Sequence, residues 1–222
     1  MYEVGQRQIP RGPDGEEIYT SAMTRSACEL TRCAWLAACA WLMACGVAHA
    51  DDAALLREMR QGGVAILMRH TQTTPGVGDP PGWRLADCAS QRNLDASGVA
   101  HAKRIGRWFA DRKVRPTQVR NSPWCRTRDT ARLAFGRADD WPALSNIFED
   151  RSGADAQAAE VRGLVAALRH GELVVLVSHG STIRHIVDVA LAPGEAVVVR
   201  RSAADSADAA APLVVLGRWG VP

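Results

Sequence analysis

Two short, wholly apolar runs, residues 64–68 and 173–177, constrain the fold more than any other part of the chain. Each has five apolar residues with no polar alternation, a pattern that suits a strand buried on both faces. Such strands require helices above and below the sheet, and helical patterns do separate them. Residues 95–111 place Val99, Ala102, Ile105, Trp108 and Phe109 on one face, with Asp95 as the N-cap. Residues 118–121 read as a short strand before Ser122-Pro123, and 126–135 as a helix stopped by Gly136. A helix is predicted over 156–169, ended by Gly171, and another over 181–191, ended by Pro193-Gly194. Residues 197–200 and 213–216 are two final strands, joined by a loop over 201–211 that is rich in Ala, Ser and Asp. The alternation predicts an α/β fold: a single three-layer α/β/α domain with a mostly parallel central sheet, spanning residues 51–222.

The first fifty residues read differently. Residues 33–47 form an uncharged apolar run preceded by Arg25 and Arg32 and followed by Ala48-His49-Ala50 and two aspartates. A basic flank, a short apolar core and an A-x-A site are the layout of a signal peptide, predicting cleavage after Ala50. The run is shorter than the roughly 20 residues a membrane-spanning helix needs, so no stable span is expected after cleavage. Residues 1–22 are polar and contain Pro10 and Pro13, which makes Met23 the better start. Leu42-Met43-Ala44-Cys45 loosely resembles a lipoprotein box, leaving an anchor at Cys45 as the lesser alternative to a periplasmic or secreted location. Of six cysteines, only Cys88 and Cys125 lie beyond the cleavage site, in a compartment where disulfides persist.

At 47% hydrophobic and 23% charged residues, the composition is that of a folded globular chain. A net charge of +3 without a basic cluster gives no reason to expect a nucleic-acid partner. Residues 51–222 contain only two lysines, Lys103 and Lys113, so the cations there are almost all arginine, the side chain best shaped for phosphate. Arg104, Arg107, Arg112 and Lys113 lie on one helix and its end and read as a solvated face.

Both apolar runs end in a histidine segment: Arg69-His70-Thr71 after the first, Ser178-His179-Gly180 after the second. In open parallel sheets functional groups collect past the carboxyl ends of strands. With Leu94-Asp95-Ala96-Ser97-Gly98 and Ser122-Pro123-Trp124-Cys125-Arg126-Thr127-Arg128-Asp129-Thr130-Ala131 between them, these segments resemble the ordered signatures of the histidine phosphatase superfamily, the phosphoglycerate mutase-like fold. The resemblance spans roughly residues 64–190. It implies a nucleophilic His70 that forms a phosphohistidine, with Arg69, Arg126 and His179 as donors to the phosphoryl oxygens and Arg92 as a further phosphate ligand. It implies no metal and no cofactor, and no metal-ligand spacing is present in the sequence.

For the general acid, the resemblance points to Glu149 or its neighbour Asp150, weighed equally against a solvated acidic pair beside Arg151. Thr71 stands where the family has glycine, which would narrow the space beside the nucleophile. His101 replaces a glutamine, and Gly76 stands where mutases carry an asparagine. Trp83 and Trp124 are candidates to flank the pocket, although ordinary packing explains a tryptophan as well. Because Cys88 and Cys125 lie beside the two arginines expected to converge on phosphate, a disulfide between them is expected slightly ahead of two free thiols. The implied activity is an exported, metal-independent phosphatase acting on a small phosphorylated substrate, for which an envelope origin is one option. A catalytically silent phosphate-binding module of the same fold is the first alternative, and a phosphomutase the second.

Overall fold

The structure, a computed structural model, describes residues 52–202 and 211–221. The signal peptide, its Met23 start and the Cys45 alternative lie outside these residues, as does most of the loop expected over 201–211. A helix, α1, is described from residue 52 to 61. It is followed by β1 (Val64–Arg69), α2 (Ala96–Asp111), β2 (Gln118–Asn121), α3 (Cys125–Phe135), β3 (Asp139–Asp140), α4 (Ala154–Ala166), β4 (Leu173–Ser178), α5 (Gly180–Val187), β5 (Ala196–Arg201) and β6 (Leu213–Trp219). The strands form one sheet in the order β3-β2-β4-β1-β5-β6. The pairs from β3 through β1 are parallel, and β5 is antiparallel to both of its neighbours. The central sheet is thus mostly parallel, with a reversed strand near one edge.

Two apolar cores explain the three layers. Residues 64, 66 and 68 of β1 and 173, 175 and 177 of β4 pack with Leu55 and Met59 of α1, Ile105 and Phe109 of α2, and Ala131 of α3. The intervening residues 65, 67, 174 and 176 face Ala158, Val161 and Val165 of α4 and Ile183 and Ile186 of α5. Alternate side chains of a strand point to opposite faces, so a five-residue apolar run feeds both cores at once.

Several element ends differ from the sequence reading. Helix α4 closes at Ala166, because the Ala167 N–H turns back to Gly163 and Leu164. The chain then straightens so that His170 bridges Gly62, and Gly171 lies beyond the helix rather than ending it. Helix α5 stops at Val187 instead of continuing to 191. Asp188 adopts the left-handed conformation (φ 52°) and its N–H caps Arg184 O, a role that a short polar side chain tolerates. Helix α1 was not expected, although Leu55 and Met59 have the i, i+4 spacing of a buried face. Strand β6 runs three residues past the expected end, with an irregularity opposite Val198 and Val199. None of the helices among the described residues is long and apolar enough to cross a membrane.

Cys88 and Cys125 are joined by a disulfide, with Cα atoms 5.7 Å apart. It ties the loop before α2 to the first residue of α3. The Cys125 N–H also donates to the Gln91 side-chain oxygen at 3.0 Å, which fastens the same two segments a second time. Closing a 37-residue separation constrains the unfolded chain by about 3–4 kcal/mol on the chain-entropy account. Replacing both cysteines by serine should therefore lower the unfolding free energy by about that amount in urea titration. An unchanged midpoint would show that the bridge does not form in the protein.

Candidate active site

Strand register brings the two histidines together. Arg69 of β1 pairs with Ser178 of β4, so His70 and His179 leave the sheet side by side. The His70 N–H donates to Ser178 O at 3.0 Å, and the two imidazoles meet edge-on with centroids 5.5 Å apart. On the other side of β4, Asn121 pairs with Val177, and the Ser122 N–H donates to Val177 O at 2.9 Å. Ser122 is thereby set against His179, and the turn that follows starts α3 and presents Arg126. At the opening of α2, Gly98 lies so close to the Gln72 carbonyl that a Cβ would sit 1.9 Å from it. A side chain there would push the loop after His70 away from the helix.

A hydrogen bond assigns the tautomer of His70. His70 Nδ1 lies 2.8 Å from Thr71 O, an acceptor, so Nδ1 carries the hydrogen and Nε2 keeps a lone pair. Burial, and to a lesser degree the nearby Arg126, Arg69 and Arg92, lowers the His70 pKa to about 3 against the opposing pull of the Thr71 carbonyl. His70 is therefore neutral at physiological pH, as a nucleophile must be. His179 Nε2 lies 2.8 Å from Ser122 Oγ, which also accepts the Trp124 N–H at 3.4 Å. Ser122 Oγ keeps a second lone pair and its own hydrogen, so it can pair with either tautomer of His179; when the hydroxyl donates to Nε2, the hydrogen of His179 is on Nδ1. That Nδ1 is buried and has no partner among the described residues, and in this tautomer it is a donor for a ligand. Burial, with the charges around it, holds His179 well below the ordinary histidine pKa.

Arg126 is the largest fully buried side chain in the described protein, and Asp79 is its counter-ion. Nη1 and Nη2 of Arg126 donate to the two carboxylate oxygens at 2.7 and 3.1 Å. Asp79 also accepts the Arg92 N–H at 2.9 Å and the Trp124 indole N–H at 3.1 Å, so four donors converge on one carboxylate. Burial alone would raise its pKa. The bonds from Arg126, Arg92 and Trp124 outweigh this and hold it below the usual carboxylate value. The Asp79 pair occupies the end of the guanidinium, and Arg92 O takes a further Nη1 contact at 3.4 Å. The side fork formed by Nε and the second Nη2 hydrogen remains, and Nε is buried without a partner. That fork is suited to two oxygens of a phosphoryl group.

Arg69 donates to Leu191 O at 2.7 Å and keeps a buried, unpartnered Nε. Gly180 allows this placement, since a Cβ there would stand 3.3–3.4 Å from the Arg69 guanidinium. Arg92 is more structural than the sequence suggested. Its Nε and Nη1 hold the loop after His70 through Gly78 O (2.8 Å), Thr73 Oγ1 (2.7 Å) and Gly76 O (3.0 Å). Burial lowers the pKa values of both Arg69 and Arg92, aided by the charge of Arg92 on the first and of Arg126 on the second, which marks a site rich in positive charge.

These groups line an open cavity of about 430 Å³ that contains Arg69, His70, Arg92, Arg126 and His179. The candidate acids are not brought into its lining. Glu149 is exposed, with Oε1 beside Gly78, and the exposed Asp150 carboxyl accepts the Ser152 N–H, which holds it below its ordinary value. Asn146 and Phe148, from the same segment, line the cavity instead. Thr71 does not crowd His70, because its hydroxyl turns to Thr130 of α3. Trp83 and Trp124 pack on each other with centroids 5.3 Å apart and stay outside the lining. His101 is remote and bonds Val221 O. Sequence reasoning missed Asp79 and Asn146, and gave no role to Arg184, which belongs to the segment after Ser178-His179-Gly180 that resembles the mutase branch. Asp79 carried one signal, as the lone acid in the Gly- and Pro-rich stretch 75–82. Among the described residues, no group of three or more His, Cys, Asp or Glu is arranged to hold a metal ion.

No protein-family model and no curated protein matches the chain. Solved structures do resemble it. One is a proposed phosphohistidine phosphatase, SixA, from Agrobacterium tumefaciens, 20% identical, with a TM-score of 0.47, covering 72% of this chain and 98% of that one. A protein histidine phosphatase SixA complexed with tungstate is 15% identical, with a TM-score of 0.46 and coverage of 71% and 96%. Phosphoserine phosphatase from Entamoeba histolytica, in complex with 3-phosphoglyceric acid, is 13% identical, with a TM-score of 0.44 and coverage of 61% and 89%.

Two outcomes are expected from the site itself. Asp79→Ala should leave Arg126 buried and unpaired, costing about 3–5 kcal/mol of stability in denaturant titration. Wild-type stability in that variant would refute the anchoring role. For His70, the unfolded state binds a proton below about pH 6.5, whereas the folded state waits until about pH 3. The contribution is therefore complete above pH 6.5 and lost as pH falls through that window, at up to about 1.4 kcal/mol per pH unit. Unfolding free energies measured from pH 7.5 to 4.5 should fall less steeply in His70→Asn than in the wild type. Equal slopes would contradict the neutral, buried assignment.

Proposed function

We propose that the chain is a histidine phosphatase that moves a phosphoryl group from a small phosphorylated substrate to His70 and then to water. The observation that supports this best is the tautomer of His70: Nδ1 is tied to Thr71 O, which leaves the Nε2 lone pair for phosphorus beside the unpartnered Nε atoms of Arg69 and Arg126. The attack forms an N–P bond and splits hydrolysis into two displacements. The side fork of Arg126, the Arg69 Nε–H and the His179 Nδ1–H supply hydrogen bonds to the phosphoryl oxygens, where charge must be held in the transition state. All these donors are fixed before substrate arrives, so little reorganisation is required.

Three finer statements belong to the same proposal. The reaction proceeds without a metal, since arginines carry the positive charge that a metal would otherwise supply. The protein is exported, with cleavage after Ala50, a reading supported by the apolar run at 33–47 and by the Cys88–Cys125 bridge. Hydrolysis is favoured over phosphoryl transfer between substrates because the cavity is open, and a mutase must shield its phosphohistidine from water.

The test is a His70→Ala variant. It should lose about 10³-fold or more of para-nitrophenyl phosphate turnover and should not form the acid-labile phosphoenzyme. Wild-type activity should be unchanged by chelator. Wild-type-like turnover in His70→Ala would end the proposal, and no turnover in either protein would leave a phosphate-binding module.

A further inference from the structure

Beyond the phosphoryl-binding floor, the cavity contains donors that cannot release a proton. Arg184 lies on α5 four residues after Gly180, so its Cα is about 6 Å further along the helix from the point where Gly180 abuts Arg69. It lines the cavity, is exposed, and its guanidinium has no partner among the described residues. Asn146 lies in the same lining. Its Oδ1 accepts the Ser181 hydroxyl at 2.9 Å and the Phe148 N–H at 3.2 Å. A backbone N–H can only donate, so the amide orientation is set and Nδ2 is the end left for a ligand. The outer part of the cavity therefore offers a guanidinium and an amide NH₂, and its lining includes neither Glu149, whose Oε1 lies beside Gly78 at the edge, nor Asp150. Both donors stabilise an anion, and neither can protonate an alkoxide.

This decides between leaving groups. An alcohol has a pKa near that of water, about 16, and departs slowly unless an acid protonates it. A phosphate monoester has its second pKa near about 6 and leaves as a stable anion near neutral pH. We infer that the substrate is a diphosphate ester, whose terminal phosphoryl group passes to His70 while the inner phosphate leaves as an anion bound by Arg184 and Asn146. The inference rests on the phosphohistidine reading above and specifies its substrate class. The His70 Nε2 lone pair forms a bond to the terminal phosphorus. The bridging P–O bond breaks, and its electron pair stays on the oxygen of the departing monoester. Water then attacks the phosphohistidine, the N–P electron pair returns to Nε2, and a proton goes to solvent with inorganic phosphate as product. The organic group lies at the mouth, against the exposed Val77 and Phe148.

The test compares kcat/KM for geranyl diphosphate against geranyl phosphate and for ADP against AMP, with para-nitrophenyl phosphate as the control. Its phenolate also leaves without a proton, but it carries no second phosphate. At least one diphosphate should exceed its own monophosphate by about 100-fold, and the two pairs separate a prenyl-like from a nucleoside source. Arg184→Gln should lower kcat/KM for that diphosphate by about 10–100-fold while changing the control by less than about threefold, and Arg184→Lys should recover part of the loss. Equal rates for each diphosphate and its monophosphate, with the control still turned over through a phosphoenzyme, would overturn the inference and leave the phosphatase reading intact. So would an Arg184→Gln loss that is equal on the control and the diphosphate. Absence of both control turnover and phosphoenzyme would refute the phosphatase reading and this inference together.

Discussion

The buried ion pair between Asp79 and Arg126 is the interaction on which the rest of the site depends. Arginine is not deprotonated in proteins, so at 2% side-chain exposure its charge needs a partner, and the cost of leaving it unpaired exceeds most single contacts in a domain. Asp79 meets that requirement while engaging only one edge of the guanidinium, so the opposite edge stays available to a ligand. The same carboxylate holds the Arg92 backbone and the Trp124 indole. A single acid therefore fixes the loop after β1, the approach to α2 and the start of α3 relative to one another. The disulfide from Cys88 to Cys125 acts on the same pair of segments. Arginine orientation is set by this clamp, whereas histidine orientation is set by the sheet.

The two mechanisms meet at the carboxyl edge of β1 and β4. Parallel pairing with Arg69 opposite Ser178 leaves no freedom in where His70 and His179 emerge. Burial beside three arginines then keeps both rings neutral, so each has one lone pair and one N–H. A proton on either ring would add positive charge beside three arginines, and a proton on His70 would remove the lone pair that the proposed attack requires.

Much of this was legible in the sequence, for a physical reason. The runs at 64–68 and 173–177 are apolar at every position because both faces of a central strand are covered, so strand, burial and the position of the following histidine are specified locally. Helix ends were less legible. Leu168 continues the apolar spacing of α4, yet the backbone closes at Ala166 because His170 must reach Gly62, a contact distant in sequence. Asp188 could be read as a helical residue or as a left-handed cap, and only the packed turn decides. In the candidate site, the residues preceding or following strands were visible, as were Arg92 and Arg126. Asp79 was not, because a carboxylate acquires its meaning from four donors supplied by three residues in two distant segments. The segment 146–150 was misleading in a related way: its acids are adjacent to the residues that line the cavity, but the chain turns Asn146 and Phe148 inward.

Concentrating arginines around one cavity has a consequence for stability as well as for binding. Arg69 and Arg92 have their pKa values lowered by burial and by neighbouring positive charge, so repulsion among the arginines is built into the site. Asp79 cancels one charge, and the floor remains cationic. An anion that binds the folded chain and not the unfolded one relieves that repulsion and stabilises the fold by mass action, by about 2.7 kcal/mol at a hundredfold excess over its Kd. The clamp formed by Asp79 and the disulfide is what allows the empty protein to hold this arrangement. A more relaxed loop would let the arginines separate into solvent, and the side fork of Arg126 would no longer face His70. Preorganisation of the donors and strain in the unliganded site are thus one property of the structure.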